Sequence, residues 1–292
     1  MKSNTTNGSR LGGMGHRVCL AASFALLLGG CGAASETDSE LEPTGTQSSE
    51  LKNGVLVDGS ASFRGAVLVH VYWPAQNAWT DCSGVITSRR TLVTAAHCVS
   101  APLAPYTSGW VTALVLRENT GHTYDSIMPQ SNVFVKFNPA YNGFAKNDVA
   151  VLTANSDFSN VAQLDAIPIA KSNPSGSTMS AMGYGCFDTG ATDCDNHLRG
   201  GQVVPTYNST NQDYTYTANS TQPWLCAGDS GGPLKKVNGA WMAFGFASFR
   251  TGGSGNCGNV WHWATAFHNW TWLQAAIGYV NCTETTTALF CW

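Results

Sequence analysis

The chain has 292 residues and a net charge of −3, and only 11% of its residues are charged, whereas glycine occurs 31 times. A balance this close to neutral gives no support to electrostatic capture of nucleic acid or of an anionic membrane surface. The length leaves the domain count open, because single all-β domains often exceed about 200 residues. Many glycines and few charges are typical of a loop-rich β protein.

The N-terminus has the pattern of an export signal, in which a basic stretch precedes an apolar run from Val18 to Leu28. The run is too short to span a bilayer. It ends in Leu28-Gly29-Gly30-Cys31, which resembles the lipobox of bacterial lipoprotein precursors, where the cysteine becomes the lipid-modified N-terminus. The alternative is an ordinary signal peptide cleaved near Ala33 or Ala34. Both readings predict export, either as a lipoprotein of the bacterial outer membrane or cell surface or as a secreted protein.

The predicted signal peptide comprises residues 1–30. Beyond it, the amino-acid composition changes near residue 55. Residues 31–54 are polar, acidic and nearly free of aromatic side chains, which predicts a flexible tether or propeptide. No later linker interrupts the chain. We therefore expect residues 55–292 to form one globular unit.

Eight cysteines follow the signal peptide and Cys31, and an even number in an exported chain indicates disulfides. Zinc is the rival interpretation, but the sequence has no CxxC and no pair of histidines at ligand spacing, so we expect no metal site. The eight are Cys82, Cys98, Cys186, Cys194, Cys226, Cys257, Cys282 and Cys291.

Short β-rich runs alternate with Gly, Pro, Asn and Asp clusters, and only His268 to Ile277 near the C-terminus has a helical pattern. Many short strands with one terminal helix indicate an antiparallel barrel fold. The runs are Val67 to Trp73, a hairpin from Val85 to Val93 turning at Ser88 to Arg90, Trp110 to Leu116, Asp148 to Thr153, Gly201 to Tyr207 and Trp241 to Phe249.

Ser230 lies in Gly228-Asp229-Ser230-Gly231-Gly232, where glycines allow a tight turn that presents backbone N–H groups beside a hydroxyl. As a bare GxSxG this also fits the nucleophile elbow of α/β-hydrolases, whose acid and histidine follow the serine. Glu284 is the only acidic residue after Ser230, and no histidine follows it. The chain order therefore excludes the elbow.

Three segments in the order TAAHC (residues 94–98), NDVAVL (147–152) and GDSGGPL (228–234) resemble the trypsin/chymotrypsin family of serine proteases. The resemblance covers roughly residues 56 to 278. It implies an all-β fold of two antiparallel six-stranded β-barrels with a C-terminal helix. It also implies a serine-type endopeptidase acting on protein or peptide substrates.

The resemblance implies a role for each site residue. Ser230 is the nucleophile, His97 the general base and acid, and Asp148 the carboxylate that orients His97. The backbone N–H groups of Gly228 and Ser230 form the oxyanion hole. Ser248 is expected to support Asp148.

Two disulfides are implied by the resemblance, Cys82–Cys98 beside His97 and Cys226–Cys257 between the Ser230 loop and the pocket wall. By elimination and proximity, the remaining cysteines pair as Cys186–Cys194 and Cys282–Cys291. The last pair departs from the usual family pattern.

The predicted substrate pocket departs from the family. An Asp six residues before the nucleophile selects Lys or Arg in this family, but Trp224 stands there, so a tryptic preference is not expected. The indole either fills part of the pocket or swings aside. Phe249-Arg250 stands where an aromatic residue and Gly are usual. Arg250 either pairs with an acidic substrate or points to solvent, and we expect solvent. His262 and the tryptophans on either side of it are expected to form a packed aromatic cluster.

Leu56 is located where the family has its new N-terminus after activation, whose freed amine pairs with the Asp before the nucleophile, here Asp229. Cleavage before Leu56 would also separate the domain from Cys31. We expect a monomeric endopeptidase without cofactor, metal or nucleic acid partner. The alternatives are a protease-fold binding module without catalysis and an esterase that uses the same triad.

Overall fold

The computed structural model describes residues 51–57, 65–100, 107–119, 121–162, 165–186, 194–236, 242–278 and 282–291. Within these ranges the chain is mostly β-strand, with eighteen strands, two short α-helices and a 3-10 turn. None of the described helices has the length and hydropathy needed to cross a membrane. Cys31 lies outside the described residues, so its predicted lipidation has no structural counterpart here.

The first half of the chain forms a closed barrel of six antiparallel strands in the order β2-β3-β4-β7-β6-β5. Alternate residues of its strands face inward, as in β5, where Val111, Ala113 and Val115 are buried between more exposed neighbours. The strands are β2 (Ala66–Trp73), β3 (Ala78–Ile86), β4 (Thr91–Thr94), β5 (Gly109–Glu118), β6 (Tyr124–Phe137) and β7 (Ala150–Thr153).

The second half forms a twelve-stranded sheet whose main path is β1-β10-β9-β14-β15-β16-β12-β11. Within the described residues this path is not closed by strand pairing, which differs from the expected second six-stranded barrel. The strands are β1 (Val55–Leu56), β8 (Ile169–Ala170), β9 (Met179–Gly183), β10 (Arg199–Val203), β11 (Thr206–Asn208), β12 (Asp213–Thr217), β13 (Leu225–Cys226), β14 (Pro233–Lys236), β15 (Ala243–Ser254), β16 (Cys257–Thr265), β17 (Cys282–Glu284) and β18 (Ala288–Cys291).

The expected C-terminal helix is present as α2 (Trp270–Ile277), while α1 (His97–Ser100) is a single turn after β4. Trp270, Leu273 and Ala276 are buried, which is the spacing of one helix face. They belong to a core cluster that also contains Val149 and Val151. The helix therefore packs beneath the segment that leads into β7. The prediction of an all-β fold with a terminal helix is confirmed.

The predicted tether ends earlier than expected. Leu51 has no exposed surface and packs in the core of the second sheet with Leu225 and Trp263. The Asn53 side-chain amide donates to the carbonyls of Ser220 and Gln222, each at 2.9 Å. The prediction of a flexible segment is therefore wrong for residues 51–54, because one buried leucine and one amide attach them to the sheet.

Candidate active site

His97 follows β4 and Asp148 precedes β7, and these two strands pair in the barrel. His97 opens α1, and Asp148 follows the 3-10 turn Ala145–Asn147 and is 2% exposed. Asp148 Oδ1 accepts the backbone N–H of His97 at 2.9 Å, and Oδ2 lies 2.7 Å from His97 Nδ1. With Asp148 ionised, Nδ1 is the protonated nitrogen. Nε2 is then the acceptor that a general base needs.

The electrostatics of this pair favour the charged imidazole. Burial by itself lowers the pKa of His97, but the charge of Asp148 and its hydrogen bond raise it by more, so the pKa of His97 lies above its ordinary value of 6.5. An imidazolium that forms during a reaction is thus stabilised where it forms.

Ser248 supplies a third hydrogen bond to Asp148, after the two from His97. The hydroxyl of Ser248, a buried residue of β15, donates to Asp148 Oδ2 at 2.5 Å. A charge-assisted hydrogen bond of this kind is stronger than one between neutral groups. Asp148 is therefore held by donors from both sheets.

Ser230 lies in the loop between β13 and β14. Gly228 and Gly231 adopt positive φ values of 95° and 84°, and a Cβ at Gly231 would overlap the carbonyl oxygen of Ser83. The glycines are thus required by the turn and by the close approach of the barrel. Among the described residues, the backbone N–H groups of Gly228 and Ser230 donate no hydrogen bond. Two free amides in one tight turn are what an oxyanion hole requires.

The hydroxyl of Ser230 is not bonded to His97 in this structure. Its Oγ lies 3.5 Å from the carbonyl oxygen of Ser248, and no hydrogen bond joins it to His97 Nε2 among the contacts of the described residues. Nε2 instead lies 3.9 Å from the sulfur of Cys98. Catalytic hydrogen bonds are often long or misaligned without substrate and shorten only in the complex.

Asp229 is fully buried beside Ser230. Its carboxylate accepts the N–H of Gly185 at 2.9 Å and that of Cys226 at 2.8 Å. Burial raises the pKa of Asp229 to about 7, although these two bonds and the charges of Arg250 and Arg199 lower it.

Leu56, the residue expected to become the new N-terminus, lies in β1 opposite Arg199 of β10 and is 40% exposed. In the uncleaved chain it is part of a strand pair. Asp58 and Gly59, which continue the sequence after Leu56 and Val57, lie outside the described residues.

Trp224 is held by contacts with the N-terminal segment. Its indole N–H donates to the carbonyl of Asn219 at 2.8 Å, and Lys52 Nζ lies 4.1 Å from the ring centroid. Its backbone N–H donates to the carbonyl of Lys52. The indole is thereby joined to Asn219 and Lys52, and both sequence-based alternatives for the pocket stay predictions.

The other pocket residues are ordered by strand pairing. Phe249 stacks on His262 with ring centroids 4.1 Å apart, and Trp261 and Trp263 are buried, as expected for a packed aromatic cluster. Arg250 is partly exposed, and its guanidinium donates to the carbonyl of Gly255 at 3.2 Å in a solvent-exposed hydrogen bond. Burial lowers the pKa of Arg250 by more than the charge of Asp229 raises it. Pairing of β15 with β16 places Arg250 opposite Trp261.

All four expected disulfides are present, as Cys82–Cys98, Cys186–Cys194, Cys226–Cys257 and Cys282–Cys291. The first attaches α1 to β3 and the third attaches the segment before Ser230 to β16. Both bridges therefore constrain the elements that carry the candidate nucleophile and base.

The family model described as Trypsin matches residues 57–271 of the chain. The chain belongs to the trypsin family. Trypsin alpha of Drosophila melanogaster is 29% identical over 170 residues, which is 53% of this chain and 62% of that protein. Trypsin delta of the same fly is 29% identical over 169 residues, 53% of this chain and 63% of that protein. The chain thus spans a little under two thirds of the length of these curated relatives.

Solved structures share the chymotrypsin-like fold of the trypsin family with this chain. The HL collagenase structure aligns with a TM-score of 0.57 and 18% identity, covering 77% of this chain and 98% of that one. A scabies mite inactivated protease paralogue aligns with a TM-score of 0.55 and 21% identity over the same shares. At these identities the likeness supports the fold alone.

Ser83 contributes to this trypsin-family site in a way that was not recognised from the sequence. Its Oγ donates to the carbonyl of Gly228 at 2.9 Å and accepts the N–H of Tyr184 at 2.8 Å, while its own N–H donates to the carbonyl of Ser230. This buried residue of β3 joins the barrel to the nucleophile loop. Its position directly after Cys82 in β3 is the only feature of the sequence that could have indicated this role.

A second group of side chains was missed. Glu118, His122 and His197 bring three potential ligand atoms within 4.8 Å of one another. The two histidines are 75 positions apart, so no local spacing reveals them. Cys82, His97 and Cys98 also converge, but their sulfurs are joined in a disulfide and offer no thiolate.

Proposed function

We propose that this trypsin-family chain is an exported serine endopeptidase that hydrolyses peptide bonds through an acyl-enzyme on Ser230. The observation that carries the proposal is the bonded series Ser248–Asp148–His97, next to a glycine-rich turn with two free amides. A serine hydroxyl is a weak nucleophile and needs an adjacent base that is oriented by a third group.

The proposed reaction has two halves. Ser230 Oγ attacks the substrate carbonyl carbon as its proton passes to His97 Nε2, and the amides of Gly228 and Ser230 stabilise the oxyanion. His97 then gives the proton to the leaving amine, which leaves an ester on Ser230. Water attacks this ester with His97 again as base, and the acid product leaves as the Ser230 hydroxyl is restored.

His97 must turn toward Ser230 for this reaction. The His97 side chain is 37% exposed, so its ring has room to rotate, while Nδ1 stays close to the buried Asp148. Substrate bound between the sheets would displace solvent from this gap and shorten the contact.

We further propose that the primary specificity is not for Lys or Arg. Trp224 replaces the carboxylate that would recognise a cationic side chain, and the guanidinium of Arg250 adds positive charge at the pocket wall. Beyond this pocket, a cavity of about 430 Å³ lined by Phe144, Asp213 and Phe249 offers a site for a second substrate side chain.

Labelling with a fluorophosphonate probe tests the hydrolase. We expect wild-type protein to be labelled once and Ser230→Ala not at all, while the exposed-serine control Ser159→Ala is labelled like wild type. Absence of labelling before and after N-terminal trimming would favour the binding module, a possibility that the inactivated scabies mite paralogue illustrates for the fold. Turnover of esters without turnover of peptides would favour the esterase.

Export and anchoring are part of the proposal. Four disulfides and the N-terminal pattern support an oxidising compartment, and Cys31 is the proposed lipid attachment site. Mass spectrometry of the N-terminal peptide tests this, with Cys31→Ser as the control that should lose both lipid and membrane association. An unmodified N-terminus at residue 34 or 35 would show ordinary secretion instead.

Maturation before Leu56 is proposed to release the domain from its anchor. N-terminal sequencing of the soluble active form tests this step. Active protein that retains residues 32–50 would contradict it.

A further inference from the structure

Two imidazoles converge on one buried carboxylate at the edge between the barrel and the second sheet. Glu118 is 1% exposed, and its Oε1 lies 2.5 Å from His122 Nδ1 and 2.9 Å from His197 Nδ1. The rings of the two histidines are 5.5 Å apart and nearly perpendicular. The three side chains have no part in the proposed hydrolysis.

Strand pairing and a hydrogen-bonded turn position the residues of this cluster. Glu118 ends β5, and a turn closed by the hydrogen bond from Asn119 N–H to the carbonyl of Thr123 carries His122. His197 comes from the segment that leads into the second sheet, two residues before β10. The cluster is therefore built from two elements whose positions are fixed by the fold.

Outer contacts orient the carboxylate and one imidazole. Glu118 Oε2 accepts the N–H of Leu198 at 2.5 Å, and the ring of Tyr124 stacks on His197 with a centroid separation of 5.9 Å and an interplanar angle of 10°. Metal ligands commonly have such second partners, which hold ring and carboxylate orientation.

We propose that Glu118, His122 and His197 bind a divalent transition metal ion, with Zn²⁺ as the expected occupant. Two neutral imidazole nitrogens and one carboxylate oxygen are a common three-ligand zinc set, with water completing the tetrahedron. Imidazole ligands disfavour Ca²⁺ and Mg²⁺, which select oxygen atoms. This site was not expected from the sequence, which has no local histidine pair.

The geometry needs little adjustment. Zinc bonds of about 2.0–2.2 Å in a tetrahedron separate the ligand atoms by roughly 3.3–3.5 Å. The present N···O separations of 2.5 and 2.9 Å are shorter, so the side chains must spread by less than about 1 Å. The His122 side chain is 39% exposed and lies on a turn, which permits that movement.

The expected effect is a cross-link between the two sheets. A metal held by Glu118 and His122 of the barrel and by His197 of the second sheet would fasten the segment before β10. The carbonyl of the neighbouring Leu198 accepts the N–H of Val57, so the link also reaches the residues directly after the proposed maturation site. Binding only to the folded chain would raise its thermal stability.

The test uses the full-length Ser230→Ala protein, so that self-digestion does not intervene and failure of the proposed hydrolysis leaves the result unaffected. After chelator treatment and dialysis, zinc is titrated against a chromophoric competitor. We expect one tight equivalent per chain and an unfolding temperature that rises with the logarithm of free zinc concentration.

His122→Ala and His197→Ala should each lower zinc affinity by more than about 100-fold, since loss of even an outer-shell partner costs 10–100-fold. His70→Ala is the matched control, because His70 also faces a carboxylate, that of Asp81, yet belongs to neither group of three potential ligands found among the described residues. It should bind zinc like the parent. Tight binding that survives both substitutions, or no tight binding in the parent, would overturn the proposal. Stabilisation by Ca²⁺ through the same residues would overturn the zinc assignment.

Discussion

Ser248 Oγ donates to Asp148 Oδ2 across 2.5 Å, and these two residues come from different sheets. Asp148 precedes β7 of the barrel, whereas Ser248 lies in β15 of the second sheet. The carboxylate that orients His97 is thus positioned partly by the half of the molecule that carries Ser230. Correct placement of the base depends on contact between the two halves.

Loss of the Ser248 hydroxyl should slow the chemical step. Hydrogen bonds to charged groups contribute about 1.5–3 kcal/mol, so Ser248→Ala is expected to lower kcat by roughly 10- to 150-fold. KM should change little, since the hydroxyl points to Asp148. Steady-state kinetics on a peptide substrate check this, with Ser159→Ala as control. An unchanged kcat would mean that Asp148 is held adequately by His97 alone.

Removal of the Asp148 charge should change both the rate and its pH dependence. Asp148→Asn is expected to lower kcat by about 10⁴-fold, a magnitude known for this family of enzymes rather than derived from this structure. The wild-type rate should rise with pH through the pKa of His97, which lies above 6.5 because Asp148 raises it. In the variant this rise should move to lower pH. Asp157→Asn, an exposed residue paired with Arg90, should leave the profile in place.

Leu51 should contribute to stability as a core residue. Leu51→Ala is expected to lower the free energy of unfolding by about 2–5 kcal/mol, the usual cost of deleting a buried leucine side chain. Leu56→Ala, at a position 40% exposed in the adjacent strand, should cost much less. Denaturant unfolding monitored by fluorescence measures both. Equal effects would show that residues 51–54 do not pack on the domain in solution.

The disulfide near the nucleophile should stabilise the folded protein more than the C-terminal disulfide does. Cys226–Cys257 closes 31 residues and Cys282–Cys291 closes 9. Loop-closure entropy predicts about 3.7 and 2.6 kcal/mol of stabilisation, respectively. Paired Cys→Ser variants, compared by thermal unfolding, test the order. Only the first pair should also reduce fluorophosphonate labelling, because it constrains the segment that leads to Ser230.

Asp229 should give the uncleaved protein a distinctive pH dependence of stability. Its pKa is about 7 in the folded chain because of burial, against 3.8 for an ordinary aspartate, so the folded state binds more protons between these values. The stability contributed by this group is therefore full below pH 3.8 and is lost as pH rises through 7. Asp229→Asn should lack this decline.

Cleavage before Leu56 tests the same group differently. If the new ammonium group pairs with Asp229, the positive charge lowers the pKa of Asp229 and the decline between pH 4 and 7 should largely vanish. Unfolding measured before and after cleavage checks this. An unchanged decline would show that the new N-terminus stays away from Asp229.

Sequence reasoning succeeded where a residue's chemistry and its local backbone are encoded in the same short segment. The turn around Ser230 requires glycines, and these stand beside the hydroxyl in the chain. It failed where function depends on distant strands meeting. Ser83 and the pair His122 and His197 are brought to their partners by the meeting of segments 75 to 145 positions apart, which no local pattern encodes.

The same limit explains Leu51. An isolated leucine in a polar segment does not show whether that segment is flexible or packed on the domain. The core that buries the Leu51 side chain exists only once the second sheet has folded. The barrel fold, by contrast, was expected from the many short β-rich runs in the sequence, and the inward-facing positions of β5 alternate as a strand requires.

The division of the candidate triad between two sheets has a consequence for the life of the molecule before it is folded. His97 and Asp148 belong to one sheet's connections, and Ser230 belongs to the other's. If the chain is exported as proposed, the unfolded chain in transit carries all three groups but no assembled triad, because the triad forms only when both halves have folded and met. The proposed hydrolytic activity would therefore begin only after folding is complete.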